Sequence, residues 1–385
     1  MGNWLYIAER MKKNIKAAVS MAYRLFVPEI PEKAMADGKL DMWEMCRPMI
    51  ADPFLPKKIM EDRQQDIIPC IACNVCLARL FRDTELCCTV RPSLGHETEP
   101  EWGFYGFQKV KTKKKVIVVG SGVAGLQAAT IAAEKGHDVT VYEKNDHVGG
   151  QFAAAALGPW GDREFQRLVN YLKAQCDKHG AKITLKTPVT KELLEKEKAD
   201  SVILATGAAP DQSISGSDKK HVVSLFDVLE GNAKLGQNVV IVGGSGAAIA
   251  TALYIIDKGK YTLTMVDKPK KFGTDVNPSY VWRYMKKLKE GKVVQMVQST
   301  VKEIRDKEVV VEGPEKKETT IPADSVVLAN LVPNKEVGYG KYAKDVYMIG
   351  DCVQVRRGTA AVRDGYKMGM RVDFLPYQTY HRIKH

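Results

Sequence analysis

Residues 116–143 read VIVVGSGVAGLQAATIAAEKGHDVTVYE, a β-branched run that breaks at a glycine turn and resumes as an alanine-rich segment of good helix formers. Gly120, Gly122 and Gly125 form G-x-G-x-x-G between strand and helix, and Glu143 closes the next strand twenty-three residues after Gly120. Gly120 allows the tight turn, Gly122 lets a pyrophosphate approach the backbone, and Gly125 lets helix and strand pack closely. The free amides and dipole at the helix N-terminus then hold the phosphates, and the Glu143 carboxylate can accept hydrogen bonds from an adenosine ribose. The pattern predicts an α/β dinucleotide-binding fold.

The same opening recurs at QNVVIVGG, which ends at Gly244 and leads into a second alanine-rich segment. Aligning strand with strand puts Gly243 at the first glycine, Ser245 at the middle one and Ala248 at the third, with Asp267 ending the following strand. Alanine is allowed at the third position. Serine at the middle position adds a side chain where a pyrophosphate should come closest, although Gly244 and Gly246 let the loop shift and recover the contact. Asp267 favours NADH over NADPH by pairing with a 2′-hydroxyl and repelling a 2′-phosphate, while Lys268, Lys270 and Lys271 pull the other way. The alternative for this unit is a degenerate site that holds ADP or nothing.

Three further segments select the first dinucleotide: Gly149-Gly150-Gln151, ILATGAAP from Ile203 to Pro210 with Gly207 inside it, and VYMIGDCVQ with Gly350-Asp351. Together they resemble the FAD-binding pattern of the two-dinucleotide-domain flavoprotein disulfide reductase superfamily. The resemblance implies FAD in the first unit, Gly350-Asp351 beside its ribityl and pyrophosphate region, and a return of the chain's last segment to that unit. Asp351 also reads as a helix cap. No C-x-x-C lies beside the helix after Glu143, so disulfide reduction is not expected, and Cys352 reads as a small buried hydrophobe.

The whole chain has 385 residues, 45% apolar and 27% charged, a balance that excludes disorder, collagen and a small staple-dependent scaffold. No stretch has the length of apolar sequence that a spanning helix needs, and the N-terminus MGNWLYIAERMKK lacks a signal-peptide core, so a cytoplasmic location is expected. Lysine and arginine exceed acidic residues by 58 to 46, a net +12 that suits dinucleotides, CoA esters or an acidic protein face, or solubility alone. Nucleic acid is not expected, because the lysines are scattered rather than interleaved with stacking aromatics. The seven histidines show no metal-ligand spacing. His147 reads as a surface loop residue, and Trp160 and Trp282 read as packing aromatics.

Five of the eight cysteines, Cys70, Cys73, Cys76, Cys87 and Cys88, fall within nineteen residues. The first three make C-x2-C-x2-C, which can wrap one corner of a [4Fe–4S] cluster, with the fourth ligand at Cys88 or Cys87. Structural zinc usually takes two separated pairs, so the spacing favours iron–sulfur over zinc, and buried free thiols are the remaining alternative.

Residues 47–98, with RPMIADPFLPKKIMEDRQQDIIPCIACNVCL followed by CTVRPSLGHE, resemble the junction after the barrel in the 2,4-dienoyl-CoA reductase and trimethylamine dehydrogenase family, the NADH:flavin oxidoreductases related to old yellow enzyme. In that family an FMN-bearing (β/α)8 barrel precedes a [4Fe–4S] site and FAD- and nucleotide-binding domains. The fourth cysteine of the family precedes Val-x-Pro, which matches Cys88-Thr-Val-Arg-Pro and implies Cys88. The sequence also departs from the pattern. Only the last one or two strand–helix units of a barrel precede the junction, with LDMWEM reading as the final strand. Tyr23-Arg24 and Cys46-Arg47 stand where the family's phosphate-binding glycines belong, so FMN is not expected in this chain. No proton donor can be transferred from the barrel, and the catalytic residues are unknown.

The expected organisation is a truncated barrel remnant for partner docking at 1–60, a [4Fe–4S] segment at 61–108, an FAD-binding domain at 109–212, an NAD(H)-binding domain at 213–320, and a return to the FAD domain at 321–385. The expected function is an electron-transfer subunit moving electrons between NADH, FAD and the cluster to a partner subunit that carries the substrate site. Two alternatives stand beside it. One is a self-contained NAD(P)H reductase acting on ferredoxin or a quinone; the other is a structural subunit that keeps ADP.

Overall fold

In the computed structural model, which describes residues 2–158, 162–334, 343, 345–373 and 381–382, Lys115–Val119 lies inside a six-stranded sheet. Its order is His381–Arg382, Asp345–Met348, Ser201–Leu204, Lys115–Val119, Asp138–Tyr142 and Lys182–Thr184. All pairings are parallel except that of the outer His381–Arg382. A strand covered on both faces must be apolar along its whole length, and Val116 to Val119 are all buried. The glycine turn feeds the helix Val123–Glu134, in which nearly every residue is buried.

The helix Gly358–Arg371 crosses this one closely, because a Cβ at Gly365 would lie 2.2 Å from the Ala124 carbonyl oxygen and one at Gly369 would lie 2.6 Å from Ile131 Cβ. That approach sets Asp351 and the turn before the second helix over the ends of the sheet strands.

The second sheet has the order Val294–Met296, Thr262–Val266, Asn238–Val242, Ser325–Leu328 and Val222–Ser224, all parallel. A three-stranded antiparallel sheet, Thr300–Ile304, Glu308–Glu312 and Glu318–Pro322, packs beneath it. Ser325–Leu328 pairs in the second sheet, so the chain does not return to the first unit at 321. The crossing comes where Leu331–Pro333 runs antiparallel to Ala208–Pro210, and Asp345–Met348 is the next strand of the first sheet.

Before these units, Ser20–Met21 and Met42–Trp43 form a two-stranded parallel sheet under the helices Leu5–Lys12 and Glu29–Ala36, around a small core of Ala8, Val19, Ala34 and Leu40. The stretch LDMWEM thus contributes a strand of only two residues. No helix of the described residues is long and apolar enough to cross a membrane.

Candidate functional site

The first glycine turn opens into a cavity of about 480 Å3, within the range of a small-molecule or cofactor site. Gly120 has φ +102, and a Cβ there would meet the Ala205 carbonyl oxygen at 2.5 Å. A Cβ on Gly125 would lie 2.0 Å from the Gly120 carbonyl oxygen, whereas one on Gly122 would meet no protein atom within 4 Å. The three positions therefore do different things: two close the turn, and Gly122 leaves the helix N-terminus open to the cavity.

Gly120, Gly122, Glu143, Gly150, Gln151, Gly207 and Asp351 all line this space. Gly125 and Gly350 lie behind it, Gly350 with φ +70 beside Ala124. Gly149 N–H donates to the Ser121 carbonyl at 2.9 Å, which brings Gly150 against Gly122. The Glu143 carboxylate is buried and accepts from Ser121 N–H at 2.9 Å, Ser121 Oγ–H at 2.7 Å and Asn145 N–H at 2.9 Å. It thereby braces the turn as well as facing the cavity.

Asp351 accepts from Gln151 Nε2 at 3.0 Å and from the Arg356 backbone N–H at 3.1 Å. Burial pushes its carboxyl above the usual range, partly offset by those two donors. It is placed to accept from a hydroxyl in the cavity, and it also braces the turn before Gly358–Arg371. Cys352 is fully buried, its thiol on the Leu204 and Ile349 carbonyls, as a small core group would be.

Sequence reasoning missed Asn334 and Arg356, both of which line the cavity. Asn334 N–H donates to the Gly207 carbonyl at 3.0 Å and its own carbonyl accepts from Thr206 Oγ1 at 2.8 Å. The paired Arg356-Arg357 just before a helix was the available signal for the second. Trp282, expected to pack, is 63% exposed, with Nε1–H on the Ser279 carbonyl of its own turn. Trp160 lies outside the described residues.

Cys70, Cys73, Cys76 and Cys88 line one small cavity together with Arg47, Asn74 and the apolar Ile50, Ile71 and Val90. Cys87 does not line it. Ala72 at φ 51 and Asn74 at φ 54 take the left-handed conformation, which costs energy for residues with a Cβ and curls the backbone around the sulfurs. Backbone N–H groups of Ala72 and of Val90 and Arg91 bond to the sulfurs of Cys70 and Cys88. Burial pushes the Cys70 thiol up to about 11 and the Cys88 thiol to about 12, so without a cation both stay protonated at neutral pH.

Among the described residues, no three Cys, His, Asp or Glu side chains converge as a single metal ion requires. The cavity has about 20 Å3, the room of about one water. What suits iron is the donor chemistry, four cysteines on one apolar-walled space with sulfur-directed N–H groups.

Two sides hold this loop. From the first unit, Arg167 donates to the Cys70 carbonyl at 3.1 Å, and Thr89 Oγ1 lies 2.7 Å from Thr359 Oγ1. Gly358, just before Thr359, and Ala361, two residues after it, line the large cavity, so one turn separates the two spaces. From the second unit, Asn277 and Tyr280 donate to the Cys73 carbonyl at 3.1 and 3.0 Å. Arg47 bonds to Asn74 and Arg24 to Glu164, so both arginines near the expected phosphate positions are engaged internally.

The second turn is built differently. Gly243 has φ +142 and abuts Asn330, and a Cβ on Gly244 would lie 2.3 Å from the Phe272 ring. Ser245 caps the helix Gly246–Lys258 through the Ala248 N–H at 3.4 Å, and Gly246 N–H points at Asp275. The Asp267 carboxylate accepts from Gly244 N–H at 2.8 Å and Lys268 N–H at 2.8 Å. It braces its turn as Glu143 braces the first.

Two sheets, one all-parallel and one parallel but for its outer strand, each with a glycine turn at a helix N-terminus and an acidic residue closing the next strand, define the class of the flavin- and pyridine-nucleotide-linked oxidoreductases. The chain belongs to the pyridine nucleotide-disulphide oxidoreductase family, whose model matches residues 114–365. It is 33% identical to the NADH oxidase of Thermoanaerobacter brockii, over 96% of this chain and 57% of that protein. With the metal reductase of Desulforamulus reducens it shares 31% identity, over 96% of this chain and 60% of the relative. A 2-naphthoyl-CoA reductase structure superposes with a TM-score of 0.88 at 40% identity, over 96% of this chain and 56% of that one. The chain thus spans a little over half the length of these relatives.

Proposed function

We propose that this chain is the electron-transfer part of an NADH-dependent flavoprotein that carries a [4Fe–4S] cluster and serves a substrate site on a partner subunit, within the 2,4-dienoyl-CoA reductase and trimethylamine dehydrogenase group. The observation that carries the reading is the single turn at Arg356 to Ala361. One face of it lines the 480 Å3 cavity, and Thr359 on the other holds the cysteine loop. Proximity of two redox sites is what the protein must supply when cofactors do the chemistry.

Gly120, Gly122, Gly150, Gln151, Gly207 and Asp351 would hold FAD, with Glu143 behind the adenosine ribose and Gly125 and Gly350 setting the backbone. Gly243, Ser245, Gly246 and Asp267 would hold the nicotinamide dinucleotide, and Cys70, Cys73, Cys76 and Cys88 the cluster. FAD supplies hydride acceptance with single-electron release, and the cluster single-electron relay. The chain's own residues bind, orient and exclude water; no side chain need donate a proton.

The N-terminal segment supports a docking role. Trp4, Tyr6, Tyr23 and Met42 are exposed around a two-stranded parallel sheet whose outer edges are unpaired among the described residues. A structural role with ADP in the second unit is the second reading, favoured by the serine cap and the carboxylate that fill the second glycine turn.

The test is anaerobic purification with flavin, iron and sulfide quantified, then titration with NADH while the visible spectrum is recorded. One FAD, about four iron and four sulfide per chain, all bleached by NADH, are expected. Flavin that stays oxidised in NADH would overturn the NADH-linked reading, and absence of iron would overturn the cluster.

A further inference from the structure

The second glycine turn is occupied by the chain itself. The backbone N–H of Gly246, first residue of a thirteen-residue helix, lies 2.9 Å from Asp275 Oδ1 and 3.0 Å from Oδ2. Ser245 Oγ takes the Ala248 N–H beside it. In a βαβ nucleotide site these are the donors that hold the pyrophosphate. The corresponding first helical residue of the first unit, Val123, lines an open cavity instead, beside its N-cap Gly122. An aspartate therefore puts a negative charge on the same N–H that a phosphate would use, and two anions cannot share it without repulsion.

The strand-to-helix segment carrying Asp275 is tied down at its base and solvent-exposed at its tip, where the Asp275 carboxylate meets the Gly246 N–H. Gly273 N–H donates to the Gly244 carbonyl at 2.7 Å and Phe272 is buried against Gly244, while Thr274 and Asp275 are exposed.

Resting on the nucleotide role proposed for the second unit, we propose that Asp275 is an internal stand-in for nucleotide phosphate that closes the second site, and that a nucleoside diphosphate enters by displacing it. The site is gated by charge competition rather than built open like the first. Displacement also pulls on Asn277, two residues on, whose side chain holds the Cys73 carbonyl.

Calorimetric titration of ADP into the flavin-loaded full chain tests this, comparing wild type with D275N and D275E. Removing the competing charge in D275N should tighten ADP binding about two- to fivefold, the size of a charge at a helix terminus, and D275E should stay near wild type. Equal or weaker binding by D275N overturns the gate while leaving the second unit a nucleotide site. Absence of ADP binding in all three overturns the gate together with the nucleotide reading of that unit. Flavin content, measured on each variant, reports folding of the first unit independently.

Discussion

The side-chain amide of Asn277 donates to the backbone carbonyl of Cys73 at 3.1 Å across 204 residues of sequence, and the phenol of Tyr280 donates to the same oxygen at 3.0 Å. Burial, with Tyr284 and Cys73 nearby, pushes the Tyr280 ionisation upward, so this donor keeps its proton throughout the working range of pH. Y280F should cost about 1 kcal/mol of stability and loosen the cysteine loop, seen as faster amide exchange over residues 73–80. ADP should alter exchange in the same residues in wild type, and N277A should abolish that response. An unchanged exchange profile in Y280F would show that the Tyr280 bond does not hold the loop and would leave Asn277 as its support from the second unit.

The glycines of the first turn should separate folding from cofactor binding. G125A forces a methyl to within 2.0 Å of the Gly120 carbonyl oxygen, and overpacking of this kind costs about 1–3 kcal/mol. Its thermal midpoint should fall along with its flavin content. G122A meets no protein atom, so it should melt near wild type yet purify with little flavin. Equal flavin content in wild type and G122A would remove the cavity as the FAD site.

Cys88 lines the small cavity and Cys87 does not. C88S should purify with iron well below wild type, as should C70S, C73S and C76S, whereas C87S should retain it. Iron and sulfide analysis decides between them, and loss in C87S with retention in C88S would exchange the two assignments.

Asp66 is buried and joins the cysteine segment to the long helix Asp162–His179 through Lys178 Nζ at 2.7 Å and Gln175 Nε2 at 3.4 Å. Burial opposes its ionisation, but the bonds to Lys178 and Gln175 outweigh it and hold the carboxyl below the usual aspartate range. A lowered folded-state value means stability that is present above the unfolded value and lost as acid carries the pH through the folded one. D66N should therefore lower the urea midpoint at pH 7, and the difference from wild type should shrink below about pH 4. A difference that persists unchanged in acid would assign it to packing rather than charge.

Much of the first unit was legible because its constraints are local. A buried strand, a turn in which Gly125 faces a carbonyl, and an acidic residue at the next strand end act within thirty residues, and each demands a residue type. Spacing left Cys87 and Cys88 both open as the fourth cysteine and the family resemblance pointed to Cys88; only the fold put Cys87 outside the cavity. Asn334 and Arg356 carry no such signature, since they reach the cavity only when the last strand and helix pack back. Trp282 misled because an aromatic on a helix does not say which face meets the core.

The sequence by itself determined two βαβ openings, the residues of the first glycine turn and the grouping of cysteines, because backbone sterics and hydrogen bonding over a few residues leave little else possible there. Tertiary structure alone decided what fills each turn. Gly122 opens onto a cavity, whereas Gly246 N–H is met by Asp275 from a loop twenty-nine residues away. It also decided that Cys73 is held from the second unit by Asn277. Those contacts depend on the relative placement of segments distant in the chain, which pattern and propensity do not encode.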